Sequence, residues 1–354
     1  MRAVRYYGKE DIRLEDIDEP ELRPGTVKIA PAFVGLCGSD LHLYTDGPMP
    51  PVPSADVPHP LTGETLPVVL GHEFSGTVEE IGAGVTGLAV GDAVTVEPLL
   101  VDGTCHACQT GVYNLCAQIG CLGVSGGGGG LSEHVIVEER WVHPVGDMPL
   151  DEAALIEPLA VAMHAVTHSR AAAGQTAVVG GAGPVGLLIA SVLRARGLSV
   201  IISEVSQHRR SAAEAMGIAE LVVDPAVQDL KTAVLAHTAG AGAELAFDVA
   251  GAAAVVHQLL DVLAPGGRLQ IVAMHPTPIE LNIAAELTMQ DREIGSALGY
   301  ANEHPAAIEL VRSGKIDLAP FITSRISIDR IVEDGFARLA QPGNEEIKIL
   351  VSLL

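Results

Sequence analysis

The chain has 354 residues, 48% of them hydrophobic, which is enough for two ordinary domains with real cores. Its net charge of −23 and isoelectric point near 4.8 repel phosphate backbones and anionic lipid, so nucleic acid and membrane are not expected partners. The acidity serves solubility; a positive mean hydropathy argues weakly against halophilic adaptation as its cause.

In chain order, residues 1–7 lack the apolar stretch of a secretory signal. The first 150 or so residues then read as short β segments broken by Gly and Pro, among them 27–30, 75–81 and 93–96. This texture predicts a compact, partly closed β core with functional loops. Three motifs punctuate it: Gly35-Leu36-Cys37-Gly38-Ser39-Asp40-Leu41-His42, Gly71-His72-Glu73, and the cysteines Cys105-x2-Cys108-x7-Cys116. Five cysteines are an odd number, and three are clustered at metal-like spacing. That fits ligand duty in a reducing cytoplasm better than a disulfide framework, and the expected location is cytoplasmic. Residues 126–130, all glycine, predict a flexible or tight-turning loop.

From about Pro158 the texture becomes helical and alanine-rich. Strand and helix signals then alternate: strand 176–179, helix 187–196, strand 200–203, helix 208–216 ended by Gly217, strand 221–223, helix 230–237 and strand 245–248. This βαβ alternation predicts an α/β fold with a doubly wound parallel sheet. The longest apolar runs here, such as 187–190, are too short to span a bilayer. After about Gly299 the texture changes again, and the tail could return to the first domain. No internal repeat is present.

Gly181-Ala182-Gly183-Pro184-Val185-Gly186 follows the strand ending at Val179 and opens a helix. Glycines at that spacing permit a tight turn, a close approach by a pyrophosphate and close helix–sheet packing, with free N–H donors at the helix start. Glu204 ends the next strand, where a carboxylate can bind ribose hydroxyls and repel a 2′-phosphate. NAD is therefore expected over NADP, although Arg209 and Arg210 lie close by. The expected cofactor contacts are Gly181, Gly183, Pro184, Val185, Gly186, Glu204 and Arg209.

Cys37, His72 and Glu157 are the expected ligands of a catalytic zinc, which accepts thiolate, imidazole and carboxylate and keeps one position open. Glu73 competes as a ligand or stands behind the ligands. Taken singly, each residue has a bland alternative: a buried thiol, a hydrogen-bonded histidine, a solvated glutamate. An alcohol must lose its proton before hydride leaves carbon, and Ser39 and His42 are the expected relay to water.

Together these motifs resemble the zinc-dependent medium-chain alcohol dehydrogenases, over essentially the whole chain. The match includes Glu157-Pro158-Leu159-Ala160-Val161 and Phe247-Asp248-Val249-Ala250-Gly251. The resemblance implies a GroES-like β-rich catalytic domain (1–158, rejoined by 300–354) around a Rossmann domain (159–299) that binds NAD. Glu157 at the third ligand position is similar to the polyol branch, and the Pro-rich segment 46–74 resembles the butanediol-oxidising members, not the sorbitol or threonine dehydrogenases. The implied reaction interconverts a vicinal diol and an α-hydroxyketone, with 2,3-butanediol and acetoin as the specific pair and diacetyl reduction alongside. Sorbitol or L-threonine oxidation is the alternative within the family; an NAD-binding zinc structural protein is the alternative outside catalysis. The resemblance also implies a homodimer or homotetramer. Family members with a second, structural zinc present four cysteines, whereas here Asp102 holds the first position before Cys105, Cys108 and Cys116. A carboxylate is an acceptable zinc ligand, so a Cys3Asp site is expected. His106 or Cys121 could substitute for Asp102, or packing alone could hold the lobe.

Overall fold

The computed structural model describes residues 1–354, and the chain divides into two units. The first comprises Met1–Glu157, His304–Arg312 and Asp317–Leu354, and the second Pro158–Glu303 and Ser313–Ile316.

The first unit is built on the long strand Thr26–Gly35, whose apolar residues pack with those of its neighbours into one core. It pairs antiparallel with Glu73–Ile81, Val135–Glu138 and Lys348–Ser352. The sheet runs Val142–Pro144, Ala93–Val96, Glu73–Ile81, Thr26–Gly35, Lys348–Ser352, Ile322–Ser327. Pro31 has no N–H to give a ladder, and the register with Glu73–Ile81 shifts between Pro31 and Phe33. The strand thus extends past the expected segment 27–30, because a bulge accommodates the proline. A smaller three-stranded sheet centres on Arg2–Gly8. Val27, Ile29, Val34, Phe74, Val94 and Ile349 are fully buried where these strands face one another.

The second unit is a six-stranded sheet in the order Leu221–Val223, Ser199–Ser203, Thr176–Gly180, Ala243–Asp248, Leu263–Ile271, Glu293–Ser296. Every pairing in it is parallel. Val178, Val179, Val200, Ile201, Ile202, Ala246 and Phe247 are fully buried, as continuous apolar strands must be when both faces are covered. The helix after Thr176–Gly180 runs Pro184–Ala195, three residues earlier than its apolar run, because proline at the first helical position is already set to a helical φ. The next, Gln207–Met216, starts where the Ser206 side chain accepts the Arg209 N–H and stops at Gly217, φ 64°. The helix Leu230–His237 is capped by Asp229, which accepts the Thr232 N–H. Strand order reverses at Thr176–Gly180, the position where open α/β sheets leave a crevice for ligands. No helix is long and apolar enough to cross a membrane.

Candidate active site

Cys37 leaves the Thr26–Gly35 strand and occupies the N-cap of the helix Gly38–Asp46. Its backbone N–H donates to Asp40 Oδ2 at 3.0 Å, which fixes the turn that presents the thiol. Asp40 is almost fully buried, and its other oxygen lies 3.4 Å from His72 Nδ1. The second ring nitrogen, Nε2, therefore faces Ser39, whose Oγ is 3.4 Å away. Burial opposes charge on the His72 ring, but the Asp40 carboxylate, then Cys37, outweigh it and raise its pKa well above the usual value.

Ligand atoms of Cys37, His72 and Glu73 all lie within 4.8 Å of one another. Glu73 is committed elsewhere, however: Lys348 Nζ donates to its two oxygens at 2.9 and 2.6 Å and to the Leu36 carbonyl at 3.2 Å. Burial works against the Lys348 ammonium, and the Glu73 carboxylate, followed by Cys37, outweighs it and raises the pKa. Glu157 is buried in the first turn of the helix Ile156–His168 and is not within that 4.8 Å group. Its charge still reaches the same place, since both Lys348 and Cys121 feel Glu157 and Cys37 together. Burial pushes the Cys121 thiol up to about 12, and its neighbours are His72, Glu157, Asp40 and Cys37. Cys121 is not part of the Asp102, Cys105, Cys108 and Cys116 group. Ser39 and His42 sit one turn apart on the exposed side of the helix, with His42 Nδ1 2.9 Å from Asp46.

The glycine loop is tight, not flexible. Gly130 N–H donates to the Gly71 carbonyl at 2.7 Å, and Leu131 N–H to Leu70 at 2.9 Å. A Cβ at Gly130 would come within 2.6 Å of the Phe74 ring, and one at Gly123 within 2.1 Å of the Gly71 oxygen. Backbone therefore lies against backbone on the residues flanking His72 and Glu73, which sets the imidazole from behind. The Pro-rich segment leans on this loop, with the Gly127 N–H donating to Glu64 Oε1 at 2.9 Å and the Thr62 hydroxyl to the Ser125 carbonyl at 2.9 Å.

Asp102, Cys105, Cys108 and Cys116 also place their ligand atoms within 4.8 Å of one another. Asp102 Oδ1 accepts the N–H groups of Thr104 (2.7 Å) and Cys105 (2.8 Å), which lower its pKa to about 2. Cys116 Sγ accepts the N–H of Asp102 (3.3 Å) and Gln118 (3.4 Å). Backbone N–H groups of Ala117 and Cys108 lower the Cys105 thiol in the same way, while burial raises Cys108 to about 12. Three sulfurs and one ionised carboxylate around a point fit a tetrahedral zinc. His106, on the short helix His106–Gln109, is exposed.

In the second unit, Gly183 caps the helix that Pro184 begins. Gly181 has φ 118°, and a Cβ at Gly186 would meet the Gly181 oxygen at 2.2 Å, so neither position admits a side chain. Glu204 is buried at the end of Ser199–Ser203; its two oxygens accept the N–H groups of Ala182 and Ser206, each at 2.7 Å. A cavity of about 260 Å³ opens beside Gly181, Ser203, Glu204, Pro225 and Ala250. Arg209 Nη1 would lie 4.0 Å from a Cβ on Gly183, whereas Arg210 is held by Asp224 at 2.8 Å. A glycine cradle at a helix start with a buried acid at the next strand end fits a dinucleotide.

Two residues of this geometry had no assigned part in the sequence reading. Asp40 lies within the quoted Cys37 turn, where its spacing from Cys37 is a helix-capping signal; Lys348 carries no local signal at all.

Comparison with known proteins agrees in kind. Residues 23–147 match the alcohol dehydrogenase GroES-like domain, and residues 184–313 the zinc-binding dehydrogenase model. The chain is 43% identical over 353 residues to the (R,R)-butanediol dehydrogenase of Neisseria gonorrhoeae, covering 99% of each protein. It is 31% identical to the sorbitol dehydrogenase of Bacillus subtilis, over 99% of this chain and 97% of that one. The crystal structure of 2R,3R-butanediol dehydrogenase from Bacillus subtilis superposes with a TM-score of 0.93 at 38% identity, covering 100% of this chain and 99% of that one.

Proposed function

The chain belongs to the zinc-binding alcohol dehydrogenases with a GroES-like domain, and we propose that it interconverts (R,R)-2,3-butanediol and acetoin with NAD as coenzyme. Diacetyl reduction to acetoin belongs to the same reading. The observation that carries it is the convergence of Cys37, His72 and buried carboxylates beside the exposed hydroxyl of Ser39.

Cys37, His72 and Glu157 are the residues that would hold the catalytic zinc. Glu73 is the poorer donor, because an ammonium already occupies both its oxygens. When bound, zinc supplies Lewis acidity toward the substrate oxygen and NAD accepts the hydride. Oxidation of the diol yields the hydroxyketone, NADH and one proton, and the protein must give that proton a way out. Ser39 Oγ stands at the solvent-facing start of its helix and can take the hydroxyl proton. His42, one turn on and 64% exposed at its side chain, can pass it to water. The Asp40 carboxylate lies on the Nδ1 side of His72, so that Nε2 is the nitrogen left for the metal. Asp102, Cys105, Cys108 and Cys116 would hold a second, structural zinc.

For the coenzyme, Gly181, Gly183 and Gly186 let the pyrophosphate approach the helix that begins at Pro184 and Val185. Glu204, held by two backbone N–H groups, would present its remaining lone pairs to the ribose hydroxyls, and Arg209 would lie beside the phosphates.

A substrate panel tests the reading. NADH formation should be fastest from (R,R)-2,3-butanediol, slower from sorbitol and slowest from L-threonine. Preference for either of the latter would remove the diol assignment and leave only the family.

A further inference from the structure

A third group of ligating side chains lies in the first unit, apart from both sites above. Glu97 follows the strand Ala93–Val96, His143 lies in Val142–Pro144, and His304 opens the helix His304–Arg312. Their ligand atoms all fall within 4.8 Å of one another. Glu97 and His304 are buried, and His143 is mostly so.

The distances are diagnostic. His143 Nε2 stands 3.4 Å from Glu97 Oε2, and His304 Nδ1 stands 3.6 Å from the same oxygen. His143 Nε2 is buried and has no hydrogen-bond partner. These gaps are long for a shared proton. Two donors about 2.1 Å from one ion in tetrahedral array are about 3.4 Å apart, close to both spacings. The two imidazole rings stack with centroids 5.2 Å apart and planes 19° from parallel. The other oxygen of Glu97 is fixed by the Tyr113 hydroxyl at 2.6 Å, the kind of outer partner that orients a metal-binding carboxylate.

We propose that Glu97, His143 and His304 bind a divalent transition-metal ion, best matched by zinc, as a structural site additional to the other two. Two imidazoles and a carboxylate are its accepted donors, and a water can complete the tetrahedron. The protonation state agrees with this. Burial first, then the neighbouring His143, lowers the His304 pKa well below its usual value, against a hydrogen bond to the Val96 backbone. The ion ties the start of the return helix to two strands and, through Tyr113, to the cysteine lobe.

The test counts zinc per chain by native mass spectrometry on the zinc-loaded, full-length protein. His143→Asn should bind one equivalent fewer than the parent while its rate of diol oxidation stays at the parental value. Equal stoichiometry in parent and variant would overturn the proposal. If the variant does not fold, the unaltered protein answers the question through diethyl pyrocarbonate labelling after dialysis against a chelator. Added zinc should protect His143, and labelling of His143 that is the same with and without zinc would overturn the site.

Discussion

Cys37 is set by two local devices, the end of a strand and the capping of a helix, and both act on its backbone. Replacing only its sulfur therefore tests chemistry with little disturbance of structure. Cys37→Ser should lose at least ~10²-fold in kcat while NADH binding, followed by fluorescence, is unchanged. Retained turnover would take Cys37 out of the catalytic role. This residue was legible in the sequence because its partners in the turn are three residues away. His72 was legible through its flanking Gly71 and Glu73. The Asp40–His72 contact was not, since it joins a helix to a residue just ahead of a separate strand, and no spacing along the chain encodes which carboxylate meets which imidazole. Glu97, His143 and His304 escaped for the same reason: each reads alone as an ordinary polar residue.

At the scale of elements, four strands of the six-stranded sheet were readable from the sequence, while Leu263–Ile271 and Glu293–Ser296 were not. The readable strands are continuous apolar runs, and the helices between them carry their own end signals, a start at Asp229 and a stop at Gly217. The antiparallel sheet was not, because its pairings join Thr26–Gly35 to segments from three distant parts of the chain. The run of glycines at 126–130 was visible but ambiguous, and packing decides it. Gly130 has no room for a methyl group against Phe74, so Gly130→Ala forces the loop off the strand behind His72. The cost should be about 1–3 kcal/mol of stability, read from urea unfolding, with zinc released more readily to a chelator. An unchanged midpoint would mean that the loop yields and does not position His72.

At the scale of the whole molecule, the Glu73–Lys348 pair joins an early strand to a late one inside the first unit. Both side chains are buried, so the pair is judged by what remains when half of it is removed. Lys348→Met leaves a buried carboxylate without its cation and should cost about 3–5 kcal/mol in urea unfolding. Adding Glu73→Gln should recover much of that loss. A loss below about 1 kcal/mol in the single variant would show that water already reaches Glu73.

The position of Lys348–Ser352 between Thr26–Gly35 and Ile322–Ser327 also bears on how the chain matures during translation. All six parallel strands have been synthesised once Ser296 is made, so that half can fold early on the ribosome. The antiparallel half lacks an interior strand until the final one emerges. Until then the nascent chain exposes an open ladder edge and a carboxylate still waiting for its ammonium, which makes this interval its most aggregation-prone.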